Sequence, residues 1–213
     1  MSLLQIAIDG PAGAGKGTVT RLLSARLGIP CLDTGAIYRG LTIHLMNCGN
    51  FDNVNISADI KESVTRITLD GVDITDRIHT NEVTQYMISS QIATMPNVRK
   101  IATHVAQDLL KRHSCIVEGR DICSVVLPDA KFKFYLTATA EERAKRRMEE
   151  LKLKGVKIPY KQVLDETNAR DTLDYTKGGL KLTPDAHVID STNMTIDDVV
   201  EYMLRYIANA ETK

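Results

Sequence analysis

Charge of one sign is what this 213-residue chain most plainly lacks, since 27 Lys and Arg balance 27 Asp and Glu. A neutral chain carries no broad basic footprint, which excludes a general binder of nucleic-acid polymers. Any polyanionic ligand must be met by basic residues gathered locally. Long apolar runs are missing too: none reaches the roughly 18 residues that a membrane span requires, and no charged-then-apolar leader opens the chain. A cytoplasmic protein away from the membrane is therefore expected. Cysteine is sparse, and Cys31, Cys48, Cys115 and Cys123 show neither a CxxC pair nor zinc-ligand spacing. They read as reduced packing residues. Internal repeats and low-complexity segments are absent. What remains is enough chain for one α/β domain with an insertion and a substantial core.

What is present is organised around Gly10-Pro11-Ala12-Gly13-Ala14-Gly15-Lys16-Gly17-Thr18. An apolar run, Leu3 to Ile8, precedes it, and a helical spacing of Val19, Leu22, Leu23 and Leu27 follows. Strand, glycine-rich turn and helix in that order are the setting of a phosphate-binding loop. Glycines let successive backbone N–H groups turn inward as an anion nest, and the next helix adds the positive end of its dipole. Lys16 supplies a compact cation between the terminal phosphates of a nucleotide. In the usual pattern a Ser or Thr directly after the lysine ligates Mg²⁺. Here that position is Gly17, and Thr18 carries the hydroxyl one place later, so Thr18 is the candidate metal contact, direct or through water.

Five short runs read as buried parallel strands: Leu4–Asp9, Ile29–Leu32, Cys115–Glu118, Lys131–Leu136 and Ala186–Asp190. Helical patterns alternate with most of them, as in a doubly wound sheet. Each run ends on polar residues: Asp9-Gly10, Asp33-Thr34, Glu118-Gly119-Arg120, Thr137 and Asp190-Ser191. Ligands of open α/β sheets bind beyond such ends, so these scattered residues are expected to converge. A helix starting near Thr34 would stack Thr34 with Tyr38 and Gly35 with Arg39; a phosphate site and a plain surface arginine both remain open for that segment. Residues 50–95 break the rhythm. Arg66 to Ile74 alternates around Asp70-Gly71, a hairpin signal, and the region reads as an inserted subdomain. Ser90, Pro96 and Arg99 lead into a helix ending near Leu110. Thr139-Ala140-Glu141-Glu142 is a capping box opening a charged helix with Arg143, Lys145, Arg146, Arg147, Lys152 and Lys154. Most of those charges read as a solvated face, with Arg143 and Arg147 set apart as functional. A second helix from Tyr160 brings Arg170, Asp171 and Asp174, with Lys177 behind, and the two form a helical hairpin able to hinge. Thr195 to Asp198 caps a last helix whose apolar stripe is structural.

Phosphoryl transfer needs two phosphates in line, their charge neutralised and water excluded. A donor at Gly10–Thr18, an acceptor phosphate held by Arg39, Arg99 and Arg120, and a basic hinged hairpin supply those parts. The segments IAIDGPAGAGKGT, LDTGAIYR, the SxxAxxPxVR pattern from Ser90 to Arg99, EGRD, LPDAKFKFYLTATAEERAKRR, RDxxD at Arg170–Asp174 and DST at 190–192 together resemble bacterial cytidylate kinases, over nearly the whole chain. That resemblance implies a three-layer α/β P-loop kinase fold with a five-stranded parallel sheet. Its core would span about 1–49, 96–138 and 184–213, with an NMP-binding α+β insertion at 50–95 and a short helical lid with the helix after it at 139–183. It also implies transfer from ATP, with Mg²⁺, to CMP or dCMP by an expected monomer. ATP would be bound by Gly10–Thr18, Arg143, Arg147 and the Asp190, Ser191, Thr192 turn. CMP would be bound by Thr34, Tyr38, Arg39, Ser90, Arg99, Arg120, Asp121, Arg170, Asp174 and Lys177. Lys16, Arg120, Arg170 and Arg147 would carry the catalysis.

Three departures stand out. Lys177 replaces the usual Arg, GRDICS replaces GRDxGT, and Gly178-Gly179-Leu180 replaces Ala-Pro-Leu. Rival readings are a related kinase preferring UMP or AMP, a nucleotide-operated switch (disfavoured by the missing NKxD-type base reader) and a small-metabolite kinase.

Overall fold

The structure, a computed structural model, describes residues 3–61, 64–153, 155–177 and 179–211. Lys154 and Gly178, which the sequence places on the charged helix and in the chain's return from the lid, lie outside the described residues. In chain order the elements begin β1 (Gln5–Asp9), α1 (Lys16–Leu27), β2 (Cys31–Asp33) and α2 (Thr34–Cys48). Next come β3 (Ile56–Lys61), β4 (Val64–Leu69), β5 (Val72–Asp73), α3 (Asn81–Ser89) and α4 (Pro96–Leu110). The rest are β6 (Cys115–Gly119), β7 (Phe132–Thr137), α5 (Ala140–Leu153), α6 (Tyr160–Thr176), β8 (His187–Asp190) and α7 (Ile196–Glu211). Among the described residues no helix is long and apolar enough to cross a membrane.

The five runs expected as strands form one parallel sheet in the order β2-β6-β1-β7-β8. A parallel sheet covered on both faces needs continuously apolar strands, and Ile6, Ala7 and Ile8 are each fully buried. The strand pleat divides them. Ile6 and Ile8 join Ile116, Phe132, Phe134 and Leu136 in a cluster with Val19 and Leu23 of α1 and Val199, Met203 and Ile207 of α7. Ala7 joins Leu32 and Val117 in a second cluster with Ile37 and Leu41 of α2 and Val98 and Ala102 of α4. Burying each large aliphatic side chain contributes about 1.5–3 kcal/mol, so both helix layers are firmly seated.

The Asp70-Gly71 hairpin is present, with Leu69 opposite Val72 and φ of +52° and +80° at the two turn residues, the pattern that matches strand twist. The sequence reading missed its third strand. Ile56–Lys61 pairs antiparallel with β4 across its whole length, but its side chains are only half-buried or exposed, so the alternation is faint. Ile67, Leu69, Ile74, Ile78 and Val83 of residues 50–95 lie in the same apolar cluster as α2 and α4. The α5–α6 hairpin is seated more lightly: α6 buries a single residue, Val163.

Candidate active site

The loop after β1 is pressed against the sheet. Gly10 has φ +152°, and a Cβ there would lie 1.9 Å from the Leu136 carbonyl oxygen, so only glycine permits the approach. Beneath it Asp9 is fully buried and accepts hydrogen bonds from the backbone N–H groups of Ile122 and Cys123, at 2.8 Å each. That pair of bonds ties the end of β1 to the turn after β6. Lys16 opens α1 and folds its ammonium back over the loop, donating to the carbonyls of Gly10 at 2.7 Å and Pro11 at 2.9 Å. Burial, then the neighbouring Arg120, lowers its pKa to about 7, against the opposing pull of Glu118, Asp174 and Asp9. A polyphosphate would supply the negative charge this site is short of. Thr18 is exposed, and its hydroxyl accepts from Arg21 at 3.4 Å.

On the side of β2 and β6, each guanidinium meets a carboxylate. Arg39 stands 3.8 Å from Asp33, Arg99 is bonded to Asp121, and Arg120 Nε donates to Asp174 at 2.7 Å. Arg120 neighbours both Lys16 and Arg170, and Arg170 in turn neighbours Arg39 and Arg147. The surrounding protein and these cations lower the pKa of Arg170, although its solvent exposure mutes the effect. Cations interleaved with the carboxylates of Asp174 and Asp33 thus gather between the glycine loop, β6 and α6. Tyr38, half-buried and with its phenol pushed up to about 12 by burial, lies in the fields of Arg99 and Asp121. Asp121 itself is 6% exposed, and burial raises its pKa against the pull of Arg99.

Other expected acceptor contacts are engaged within the protein. Thr34 donates its hydroxyl to the Glu118 carbonyl at 2.8 Å, fastening α2 to β6. Ser90 closes α3 by donating to the Tyr86 carbonyl at 2.6 Å. Lys177 is exposed at the end of α6.

The α5–α6 hairpin meets the glycine loop through Arg143, which is 5% exposed. Its guanidinium donates to the Ala138 carbonyl at 2.9 Å, the Ala12 carbonyl at 3.0 Å and both carboxylate oxygens of Asp171. Those contacts join loop, α5 and α6 through one side chain. Arg147, by contrast, is half open to solvent beside Glu150. Arg146, dismissed on sequence as part of a solvated face, donates to the hydroxyl and carbonyl of Ser191 at 3.1 and 2.7 Å. Thr139 N–H donates to the Thr192 hydroxyl at 3.0 Å, and Asp190 accepts from Thr192 in a tight turn. The start of α5 is therefore latched to the 190–192 turn.

A family model described as Cytidylate kinase matches residues 6–209. The chain belongs to the cytidylate kinase family. Cytidylate kinase of Caldicellulosiruptor saccharolyticus is 43% identical over 96% of this chain and 95% of that protein. The cytidylate kinase of Caldanaerobacter subterraneus subsp. tengcongensis is 42% identical over 93% and 92% of the two chains. Among solved structures, shikimate kinase from Acinetobacter baumannii in complex with shikimate superposes with a TM-score of 0.53 at 18% identity, covering 100% of this chain and 97% of that one. A gluconokinase from Sinorhizobium meliloti gives 0.53 at 13% identity over 97% and 92%. At those identities the likeness is one of fold alone, here a five-stranded parallel sheet between helix layers with the glycine loop following its central strand, β1.

For a cytidylate kinase the metal question turns on Gly17. A Cβ on Gly17 would lie 2.8 Å from Oε1 of Glu118. The carboxylate of Glu118 thus fills the space into which a Ser or Thr after the lysine would project. Asp33, its partner in the β2–β6 register, brings a second carboxylate. Burial, reinforced by Asp33, raises the pKa of Glu118, while Lys16 opposes it. Hard oxygens at one side of a phosphate loop suit Mg²⁺ that keeps most of its water. Sequence reasoning noted Glu118 only as a strand terminus; the glycine after Lys16 was the available signal, since some other oxygen had to stand there.

Proposed function

We propose that this protein transfers the γ-phosphate of ATP to CMP and dCMP, giving CDP and dCDP. The observation that carries the reading is the gathering of Lys16, Arg120, Arg170 and Arg39 from four separate segments beside the glycine loop, as two phosphates brought together would require. In this reading the loop Gly10–Thr18 holds the triphosphate and Lys16 follows the migrating group. Arg39, Arg120 and Arg170 hold the acceptor phosphate, bidentate geometry favouring guanidinium over ammonium. Arg99 and Asp121 read the cytosine edge beside Tyr38, with Ser90 and Lys177 at the rim and Asp174 on the ribose. Arg147 and the Ser191–Thr192 turn flank the donor, and Arg143 braces the lid.

Glu118, Asp33 and the Thr18 hydroxyl would hold Mg²⁺ through its water shell. An ion held by these residues would supply positive charge to the triphosphate. No strong general base is needed, because an acceptor phosphate is already ionised near neutral pH. Positioning and charge carry the catalysis, and closure of the α5–α6 hairpin keeps water from intercepting the donor. The reading takes the protein as a cytoplasmic monomer.

The test is an acceptor panel at matched concentration with ATP and Mg²⁺: CMP, dCMP, UMP and AMP. Turnover confined to the cytidine nucleotides is expected. Equal kcat/KM for UMP and CMP would overturn the base assignment, and no turnover with any of them would overturn the reaction.

A further inference from the structure

Gly179 lies where the chain returns from α6 to the core. Its φ is +76°, and a Cβ built on it would stand 2.3 Å from Nη2 and 2.9 Å from Cζ of Arg99. The guanidinium of Arg99 therefore occupies the volume that any side chain at 179 would need. It is held there on its other sides as well. Nη1 donates to the Ala93 carbonyl at 3.0 Å and Nη2 to Asp121. Leu180 is 3% exposed, and its N–H donates to the Asp174 carbonyl at 2.9 Å, which pins the segment against the acceptor side. A groove of about 440 Å³ lined by Arg99, Lys100, Gln107, Asp121 and Gly179 opens beside the pair.

We propose that Gly179 is a positioning residue for acceptor recognition: its bare backbone seats the Arg99 guanidinium against Asp121. The inference rests on the reading of Arg99 and Asp121 as the contacts to the acceptor base. An added methyl group cannot coexist with a guanidinium 2.3 Å away. The group that yields is the tip of a flexible side chain, while the backbone at 179 is tethered through Leu180. The displacement therefore appears in recognition more than in folding. It also links two parts of the chain otherwise far apart in sequence, since the lid's return segment sets the position of a side chain from the first turn of α4.

A matched control exists within the same hairpin. Gly155 has φ +74° with nothing within 4 Å of its Cβ position, so Gly155→Ala carries the same backbone strain without the collision. KM and kcat for CMP and UMP, and KM for ATP, are to be measured in Gly179→Ala, Gly155→Ala, Arg99→Met and the Arg99→Met/Gly179→Ala double variant. Gly179→Ala is expected to raise KM for CMP by about tenfold to a hundredfold, to narrow the CMP:UMP ratio of kcat/KM, and to leave KM for ATP within about twofold. Gly155→Ala changes none of these, and in the Arg99→Met background the alanine at 179 adds nothing to the ratio.

The proposal is overturned if Gly179→Ala leaves CMP recognition intact while Arg99→Met damages it. It is equally overturned if both glycine variants behave alike, or if the effect persists without Arg99. Should Gly179→Ala fail to fold, folding of the double variant supports the collision and its failure overturns it. Should Arg99→Met leave the CMP:UMP ratio untouched, the base assignment itself falls, and the role of Gly179 with it.

Discussion

Replacing Arg143 by Met removes a guanidinium that is 5% exposed and leaves the Asp171 carboxylate, 18% exposed, without its partner. Removing one member of a buried ion pair costs about 3–5 kcal/mol. Asp171 can turn toward water, which places the effect near the lower figure, about 3 kcal/mol. The carbonyls of Ala12 and Ala138 also lose their donor. Because α6 buries only Val163, this loss falls on the docking of the α5–α6 hairpin and leaves the sheet intact. At 1.36 kcal/mol per decade, hydrogen-exchange protection of the α5 and α6 amides should fall by about a hundredfold, while β1 and β6 amides stay near their original rates. Asp171→Asn should loosen the same amides, because the amide side chain keeps one acceptor and loses the charge. If Arg143 only braces, the two variants raise KM for ATP by similar factors. Unchanged lid protection in Arg143→Met would refute the bracing role. A KM for ATP rising far more in Arg143→Met than in Asp171→Asn would instead assign Arg143 a direct contact with the donor.

Other expectations are shorter to state. Lys16→Met should fold yet lose about 10²–10³ in kcat, the usual loss for one preorganised cation; near-normal turnover would show that the loop lysine is dispensable. The pKa of Lys16 is about 7 when folded and 10.5 ordinarily, so the unfolded chain binds more protons between those values and this residue's contribution to stability rises with pH across that window. The melting temperature of the unliganded protein should therefore climb more steeply from pH 7 to 9 than that of Lys16→Met, and parallel slopes would refute the depressed pKa. His44 is 3% exposed with neither ring nitrogen bonded, so His44→Leu should stabilise by about 1–2 kcal/mol in urea unfolding; a loss of stability would point to a partner for the ring. Lys177→Arg should lower KM for CMP, since a planar fork replaces a point charge, and an unchanged or higher KM would show that the lysine is compensated elsewhere.

Much of this was legible in the chain because the relevant signals are local. Apolar runs handing over to Asp9, Asp33, Glu118, Thr137 and Asp190 marked all five core strands and the rim they share, with the glycine loop following the central one. Strand β3 stayed hidden because an edge strand with one half-buried face lacks a clean apolar period. Sequence set Arg143 apart and left Arg146 with the solvated face, yet both turn inward from the same charged helix. What separates them is which carbonyls and carboxylates lie opposite, contributed by Ala12, Asp171 and Ser191 from distant segments. The placement of Glu118 against Gly17 is likewise a matter of strand register, which no local pattern encodes.

The pleat of β1 sends Ile6 and Ile8 one way and Ala7 the other, so the protein has two interiors back to back, each beneath a different half of the cleft. α1 and α7 rest on one, and α2, α4 and residues 50–95 on the other. The two interiors are joined at the foot of the glycine loop, where Asp9 holds Ile122 and Cys123 of the second cluster, so a change packed into one face reaches the other through a single buried carboxylate.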